Sequence, residues 1–325
     1  MLDSFGREID YIRISVTDRC NLRCVYCMPE DGISSLSHYD VLRFEEIFEI
    51  ASCAAKLGIK KIKLTGGEPL VRRGILPFVK NLHEIDGIEN ITMTSNGVLI
   101  EQYKDELASC GLDGINISLD TLNRDKYEQI TRRDELSQAL KAIDICENMG
   151  IKTKINCVAM SGFNEDELCN IARFAKNRNL FVRFIEMMPL GMGKQEKRIS
   201  NEEILNILES RFGTMQIDEK IHGNGPAVYY KPQGFVGSIG IISAVSNCFC
   251  SNCNKVRLTA EGFLKLCLQY DSGVDLKTPL RNGVDKQELK EIMRKAIYEK
   301  PRQHTFSDLM SKKNIECKGM SQIGG

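Results

Sequence analysis

Short runs in which apolar and polar residues take turns alternate, from residue 10 to about 187, with longer runs of helical period. In the first short run Ile12, Ile14 and Val16 share one face, and Arg13, Ser15 and Thr17 share the other. Ile62 and Leu64 oppose Lys61, Lys63 and Thr65 in the same way, and Ile115, Ile117 and Leu119 oppose Asn116, Ser118 and Asp120. A period of two belongs to a strand. Strands are predicted at Tyr11–Thr17, Lys60–Thr65, Asn90–Thr94, Asp113–Leu119, Ile151–Ala159 and Leu180–Met187. Between them Phe44, Ile47, Phe48, Ala51, Ala54 and Ala55 recur with helical period, as do Ile75, Leu76, Phe78, Val79 and Leu82. Asn164 with Glu167 reads as a capping box opening the helix that carries Leu168 and Ile171.

A strand–helix unit repeated about six times calls for a parallel sheet with right-handed crossovers. Six units are too few for a closed eight-stranded barrel. The predicted fold is therefore α/β, an incomplete (βα)6 TIM-like barrel. After Gly191 the pattern changes. Ser200 and Glu203 start a helix, strand-like pieces lie at 227–231 and 235–242, and a further helix covers Lys286–Tyr298; the Lys and Glu runs near Lys286–Lys300 read as a solvated helix face. Residues 1–190 are expected to form the partial barrel, and 191–325 a smaller C-terminal region covering its open side.

Crossover helices pack on apolar strand faces, so the polar faces should point into the barrel. That interior would contain Arg13, Lys61 or Lys63, Lys154 and Arg183. Buried unpaired charge is too costly for a dry core, so the lumen should hold water and an anion. The same lysines and arginines at solvated strand ends are the plainer alternative.

Lys+Arg and Asp+Glu both total 44, so the chain as a whole lacks the basic excess of a nucleic-acid or membrane-surface protein. Anion binding must come from local placement of charge. The first residues contain no apolar core of a signal peptide, and no window approaches a membrane-spanning length, so a cytoplasmic location is expected. Thirteen cysteines in a reducing compartment argue for metal or redox chemistry over disulfides. The four histidines (His38, His83, His222 and His304) include no pair at metal-ligand spacing, so any metal should be held by thiolates.

Cys20, Cys24 and Cys27 have the spacing C-x3-C-x2-C directly after the first strand, at the mouth where such folds place their chemistry. Three soft thiolates on one loop suit three irons of a four-iron cluster and leave the fourth iron open to a small molecule. No fourth Cys or His is near, as a structural zinc site would want. Thr65-Gly66-Gly67-Glu68-Pro69 follows the second strand; its glycines free the backbone for close approach and its proline fixes the turn. Thr94 and Ser118 end the third and fourth strands at the same mouth. A second group, Cys250, Cys253 and Cys267, again supplies three thiolates. Cys248 is near enough to be a fourth, which leaves a zinc ribbon as the alternative to a second open cluster. Lys255 and Arg257 share one strand face beside it. Gly324 and Gly325 form a double-glycine end, able to thread into a narrow site or simply to fray. Cys53, Cys110, Cys146, Cys157, Cys169 and Cys317 read as small packing residues.

The three-cysteine loop and Gly66-Gly67-Glu68-Pro69 resemble the radical S-adenosylmethionine enzymes. With the N-terminal Asp3-x-x-Gly6-Arg7, both cysteine groups, Arg183-Phe184-Ile185-Glu186, Asn254-Lys255-Val256-Arg257-Leu258 and the double-glycine end, the whole chain resembles the GTP 3′,8-cyclases that begin molybdenum-cofactor biosynthesis. The resemblance implies two [4Fe-4S] clusters, on Cys20, Cys24 and Cys27 and on Cys250, Cys253 and Cys267. It implies S-adenosylmethionine contacts at Tyr26, Gly66, Gly67, Glu68, Thr94, Ser118 and Met188. It implies GTP contacts at Arg13, Lys61, Thr65, Lys154, Arg183, Lys255 and Arg257, with Arg13, Gly324 and Gly325 in catalysis. Lys255 stands where many members carry arginine, which keeps the charge and loses the two-pronged donor. The implied chemistry is removal of the ribose 3′ hydrogen by a 5′-deoxyadenosyl radical and attack of the sugar radical on guanine C8. The implied partners are a reducing electron donor and a cyclic pyranopterin monophosphate synthase that takes the product; neither nucleic acid nor membrane is expected, and a homodimer is the assembly left open. A radical enzyme acting on a peptide, or an electron carrier without catalysis, are the competing readings.

Overall fold

The computed structural model describes residues 1–195, 197–220, 222–306, 315–316 and 318–324. Its strands are β1 (Tyr11–Ser15), β2 (Lys61–Thr65), β3 (Asn90–Ser95), β4 (Gly114–Ser118), β5 (Lys152–Ala159), β6 (Phe181–Glu186), β7 (Gln216–Ile217), β8 (Val228–Lys231), β9 (Ser238–Ile242), β10 (Lys255–Leu258), β11 (Phe263–Lys265) and β12 (Gly273–Asp275). They form one sheet in the order β12-β11-β10-β1-β2-β3-β4-β5-β6-β9-β8-β7. Every pairing from β10 through β1 and on to β6 and β9 is parallel, and antiparallel pairs are confined to the two ends. The fold is thus α/β around a mostly parallel sheet. Residues after 191, expected to cover an open side, supply the parallel neighbour on both flanks of the β1–β6 array, β10 beside β1 and β9 beside β6.

The outer faces bury the alternating apolar positions. Ile12, Ile14, Ile62, Leu64, Ile91, Met93, Ile115, Ile117, Ile155, Val182 and Phe184 are all fully enclosed. The helices at 44–56, 75–83 and 136–148 lay Ile47, Ile50, Ala51, Phe78, Val79, Leu82, Ala139 and Ile143 on that surface. Ser200 and Glu203 make a reciprocal cap, Ser200 Oγ accepting from Glu203 N and Glu203 Oε2 accepting from Ser200 N. The expected cap at Asn164 does not form. Its Nδ2 instead donates to the carbonyls of Asp120 and Val158, its Oδ1 accepts from Met160 N, and Glu167 accepts from Thr121 Oγ1 and Leu122 N. A buried tertiary network outcompetes the local cap, so the segment begins as a 3-10 turn at Glu165–Glu167.

The helix at Lys286–Tyr298 turns charged residues outward, but the basic run ends in a buried residue. Lys300 is 3% exposed and donates Nζ to the Leu266 carbonyl. Among the described residues no helix is long and apolar enough to cross a membrane.

Candidate active site

The loop after β1 carries the first three cysteines and is held by backbone-directed bonds. Arg23 Nη1 donates to the carbonyls of Cys20 and Leu22. Arg132, left-handed at φ 57°, donates to those of Arg23 and Met28. Asp18 Oδ2 accepts from Leu36 N, which returns the loop toward the barrel. Burial pushes the Cys20 thiol up to about 12 and the Cys27 thiol to about 11; Cys24 rises too, from burial and then the neighbouring Cys27. Three partly buried thiols that resist ionising alone are what a cation-rich cluster would convert to thiolates, releasing their protons.

Gly66 and Gly67 are required by contact with this loop. A Cβ on Gly66 would stand 2.6 Å from the Thr17 carbonyl oxygen, and one on Gly67 2.3 Å from that of Arg19. The backbone bonds Gly67 N to Thr17 O and Glu68 N to Arg19 O, both 2.8 Å, seal the junction. Glu68 is 1% exposed and its carboxylate accepts from Leu70 N, Ser95 Oγ and Asn96 N. Burial raises its pKa to about 7 against those three donors. Asn96 Nδ2 then reaches Asn21 Oδ1 at 2.8 Å, tying the end of β3 to the cysteine loop. Tyr26 donates to Asp120 Oδ2 at 2.6 Å, while Asp120 Oδ1 accepts from Val158 N; burial lifts this carboxyl to about 6. Thr94, Ser118 and Met188 line the same cavity, Thr94 Oγ1 accepting from Asn116 Nδ2.

Cations crowd the inner face below the mouth. Strand register places Arg257, Arg13 and Lys63 side by side on β10, β1 and β2, neighbours about 4.8 Å apart. Lys154 and Arg183 stand on β5 and β6. Arg183 donates Nε to Asn156 Oδ1 at 2.9 Å, in space kept open by Gly240, where a Cβ would lie 3.0 Å from the arginine Cγ. Lys154 donates Nζ to the His222 carbonyl. Lys154, Arg183 and Arg257 are 7%, 6% and 8% exposed. Burial, then the neighbouring cations, brings Lys154 down to about 7, and lowers Lys63 and Arg13 as well. Burial and Arg13 bring Arg257 to about 9; burial likewise brings Lys255 to about 7, against the raising effect of Cys253.

Lys61 departs from expectation. It shares the inward parity of Lys63 but sits one row lower, beside Tyr11 of β1, and pairs with Asp10 Oδ2 at 2.6 Å. Lys63 takes its place in the cavity.

Cys250, Cys253 and Cys267 line the far side of this one cavity of about 590 Å³. Arg7, paired with Asp3, donates to the carbonyls of Cys250, Pro301 and Arg302, which explains the N-terminal Asp3-x-x-Gly6-Arg7. The described part of the final segment packs against the first cysteine loop and reaches the cationic row. A Cβ on Gly319 would lie 2.9 Å from the Cys27 carbonyl oxygen. Gly324, at φ 77°, approaches Thr65 and Ser15, and its carbonyl accepts from Arg257 Nη1 at 2.8 Å. Gly325 and Cys317 lie outside the described residues. Cys53, Cys110, Cys146 and Cys157 are buried, and Cys169 is partly so.

Sequence reasoning left Lys61 and Lys63 as alternatives for the cavity lysine, assigned Asp120 no contact, and missed Lys300 and His304. His304 comes from 54 residues along the chain to donate its backbone N to Cys250 Sγ at 3.4 Å. No local spacing signals that approach, although the strand alternation did put Lys63 and Asp120 on inward faces.

Partial parallel barrel, glycine-backed cysteine loop and cysteine-lined cavity together define a radical S-adenosylmethionine protein. Residues 14–175 match the Radical SAM superfamily, and residues 180–306 match Molybdenum Cofactor Synthesis C. Solved structures of the same fold include SuiB of Streptococcus suis bound to S-adenosylmethionine (TM-score 0.62, 14% identity, 90% of this chain and 67% of that one). Another is anSMEcpe with bound AdoMet (TM-score 0.56, 15% identity, 91% and 82%). At the level of sequence, a GTP 3′,8-cyclase of Clostridium perfringens strain SM101 is 44% identical over 325 residues, all of both chains. One of Petrotoga mobilis is 44% identical over 331 residues, again covering both chains in full. The chain belongs to the GTP 3′,8-cyclase family.

Proposed function

We propose that this chain converts GTP into (8S)-3′,8-cyclo-7,8-dihydroguanosine 5′-triphosphate, the first step of molybdenum-cofactor biosynthesis. The observation that carries this reading is a single cavity lined by both cysteine triplets, with buried cations between them. The residues fit two iron–sulfur clusters. All six thiols are free and soft, and each triplet leaves one cluster iron without a protein ligand. A cluster on Cys20, Cys24 and Cys27 would supply the electron that cleaves S-adenosylmethionine to a 5′-deoxyadenosyl radical.

The protein's part is placement. Tyr26, Gly66, Gly67, Glu68, Thr94, Ser118 and Met188 surround the cofactor position. Arg257, Arg13 and Lys63 form a cationic row for the triphosphate, and Lys154 and Arg183 close it from β5 and β6. All are buried or cavity-lining cations, and a polyanion would stabilise the charged form of the two lysines that burial pushes toward neutrality. Thr65 and the Gly324 carbonyl narrow the cavity beside Arg257 and exclude water from the reacting ribose. Residues 1–190 would hold the radical source, and 191–325 would hold the base and seal the site. A low-potential electron donor, onward transfer of the product to a cyclic pyranopterin monophosphate synthase, a cytoplasmic location and a homodimeric state belong to the same proposal.

The test is anaerobic incubation of the reconstituted chain with dithionite, S-adenosylmethionine and GTP. 5′-Deoxyadenosine and a cyclised nucleotide are the expected products. Cys267→Ser should retain cofactor cleavage and lose cyclisation. Cyclisation at the unaltered rate in that variant would remove the second cysteine triplet from the mechanism.

A further inference from the structure

Among the described residues, the group whose ligand atoms converge to within 4.8 Å of one another is neither cysteine triplet. It is Cys248, Cys250 and His304. Cluster ligands sit on separate irons and stand apart, whereas ligands of one ion must meet. Zinc–sulfur bonds of about 2.3 Å set two thiolates about 3.8 Å apart. His304 Nε2 is buried and has no hydrogen-bond partner; with the ring proton moved to Nδ1, which gives up the long 3.5 Å bond it accepts from Phe306 N, Nε2 offers a lone pair that a coordinate bond would satisfy. Cys248 is exposed, which gives an ion a route in from solvent. The geometry is built by the fold: Arg7 ties the Cys250 carbonyl to those of Pro301 and Arg302, and His304 N donates to Cys250 Sγ.

We propose that Cys248, Cys250 and His304 bind a single borderline divalent ion of the zinc class. Two thiol protons leave to solvent as two metal–sulfur bonds and one metal–nitrogen bond form, and a water completes the tetrahedron. Cys250 belongs to both this set and the second cluster's set, so the ion and the cluster exclude each other. The site is then a checkpoint on assembly of the second cluster, closed by zinc and opened by its removal. The proposal deepens the two-cluster reading, and the experiment below separates them.

The probe is Co²⁺, then Zn²⁺, on the full-length iron-free chain carrying Cys20→Ala, Cys24→Ala and Cys27→Ala, which removes the first triplet. Reconstitution of about four irons per chain in this background shows that it folds and keeps the second cluster. One Co²⁺ should bind with tetrahedral absorption and thiolate charge transfer, and X-ray absorption of the zinc form should show two sulfurs and one nitrogen. Adding Cys248→Ser, or separately His304→Ala, should weaken Co²⁺ at least tenfold, while Cys253→Ser and Cys267→Ser change it less than twofold. Zinc added first should block reconstitution, and Cys248→Ser should relieve the block while still taking up about four irons. A three-sulfur shell, or Co²⁺ binding lost with Cys267→Ser and retained with Cys248→Ser, overturns the proposal and leaves the cluster reading intact. Failure to take up iron at all overturns the cluster reading instead.

Discussion

Two lysines on one strand face show how a single row decides a role. Lys63 lies beside Arg13 in the cavity, while Lys61 is held by Asp10 below it. Lys63→Ala is expected to weaken GTP binding about 30-fold, roughly 2 kcal/mol, because it removes a desolvated partner of the triphosphate. Lys61→Ala should change it no more than about twofold, since a partly exposed ion pair carries little energy. Equilibrium dialysis with both variants decides between them, and equal losses would put Lys61 back among the ligands. Lys154 makes the site pH-sensitive. Its pKa in the free protein is about 7, so above that pH it is largely neutral until a polyanion restores the charge. GTP binding should therefore take up a proton between about pH 7 and the ordinary lysine value of about 10.4, and affinity should fall as pH rises through that window. Calorimetry at pH 8 in buffers of different ionisation enthalpy measures the uptake; zero uptake would contradict the burial argument for Lys154.

Among the elements, the two glycines after β2 are as much structural as cofactor-facing. The Cβ of Gly67→Ala would meet the Arg19 carbonyl oxygen at 2.3 Å, and backbone cannot yield as a flexible side chain does. The variant should assemble only the second cluster, about four irons per chain in place of about eight, and lose S-adenosylmethionine cleavage. Iron and sulfide analysis reads this directly, and a full complement of iron would place the strain elsewhere. The strands were legible in the sequence for a simple reason. Period-two alternation in Tyr11–Ser15 or Gly114–Ser118 reflects a sheet with helices on one face and a polar lumen on the other. Spacing also exposed both cysteine triplets. What stayed hidden depended on distant partners. Asn164 looks like a cap until Asp120 and Val158 claim it, and Lys300 looks solvated until the Leu266 carbonyl buries it. Alternation gives the face of a residue but not its depth, which is why Lys61 and Lys63 could not be told apart.

For the molecule as a whole, one sheet runs across the boundary that the sequence pattern suggests near residue 190. β1 pairs with β10 and β6 with β9, so removing residues 191–325 would uncover two parallel edges at once. Residues 1–190 expressed alone are expected to aggregate or bind a hydrophobic dye, despite holding the entire first cysteine loop. A monodisperse fragment with a cooperative melting transition would show that the β1–β6 array is self-sufficient.

That pairing also sets a clock on biogenesis. β1 leaves the ribosome well before the strand that completes it, which spans residues 255–258. At about 5–20 residues per second its flank waits for tens of seconds or less, unmatched. The strand that ends the wait follows Cys250 and Cys253 directly and precedes Cys267. Closing the nascent barrel and delivering its second set of thiols are therefore a single late event in the life of the chain.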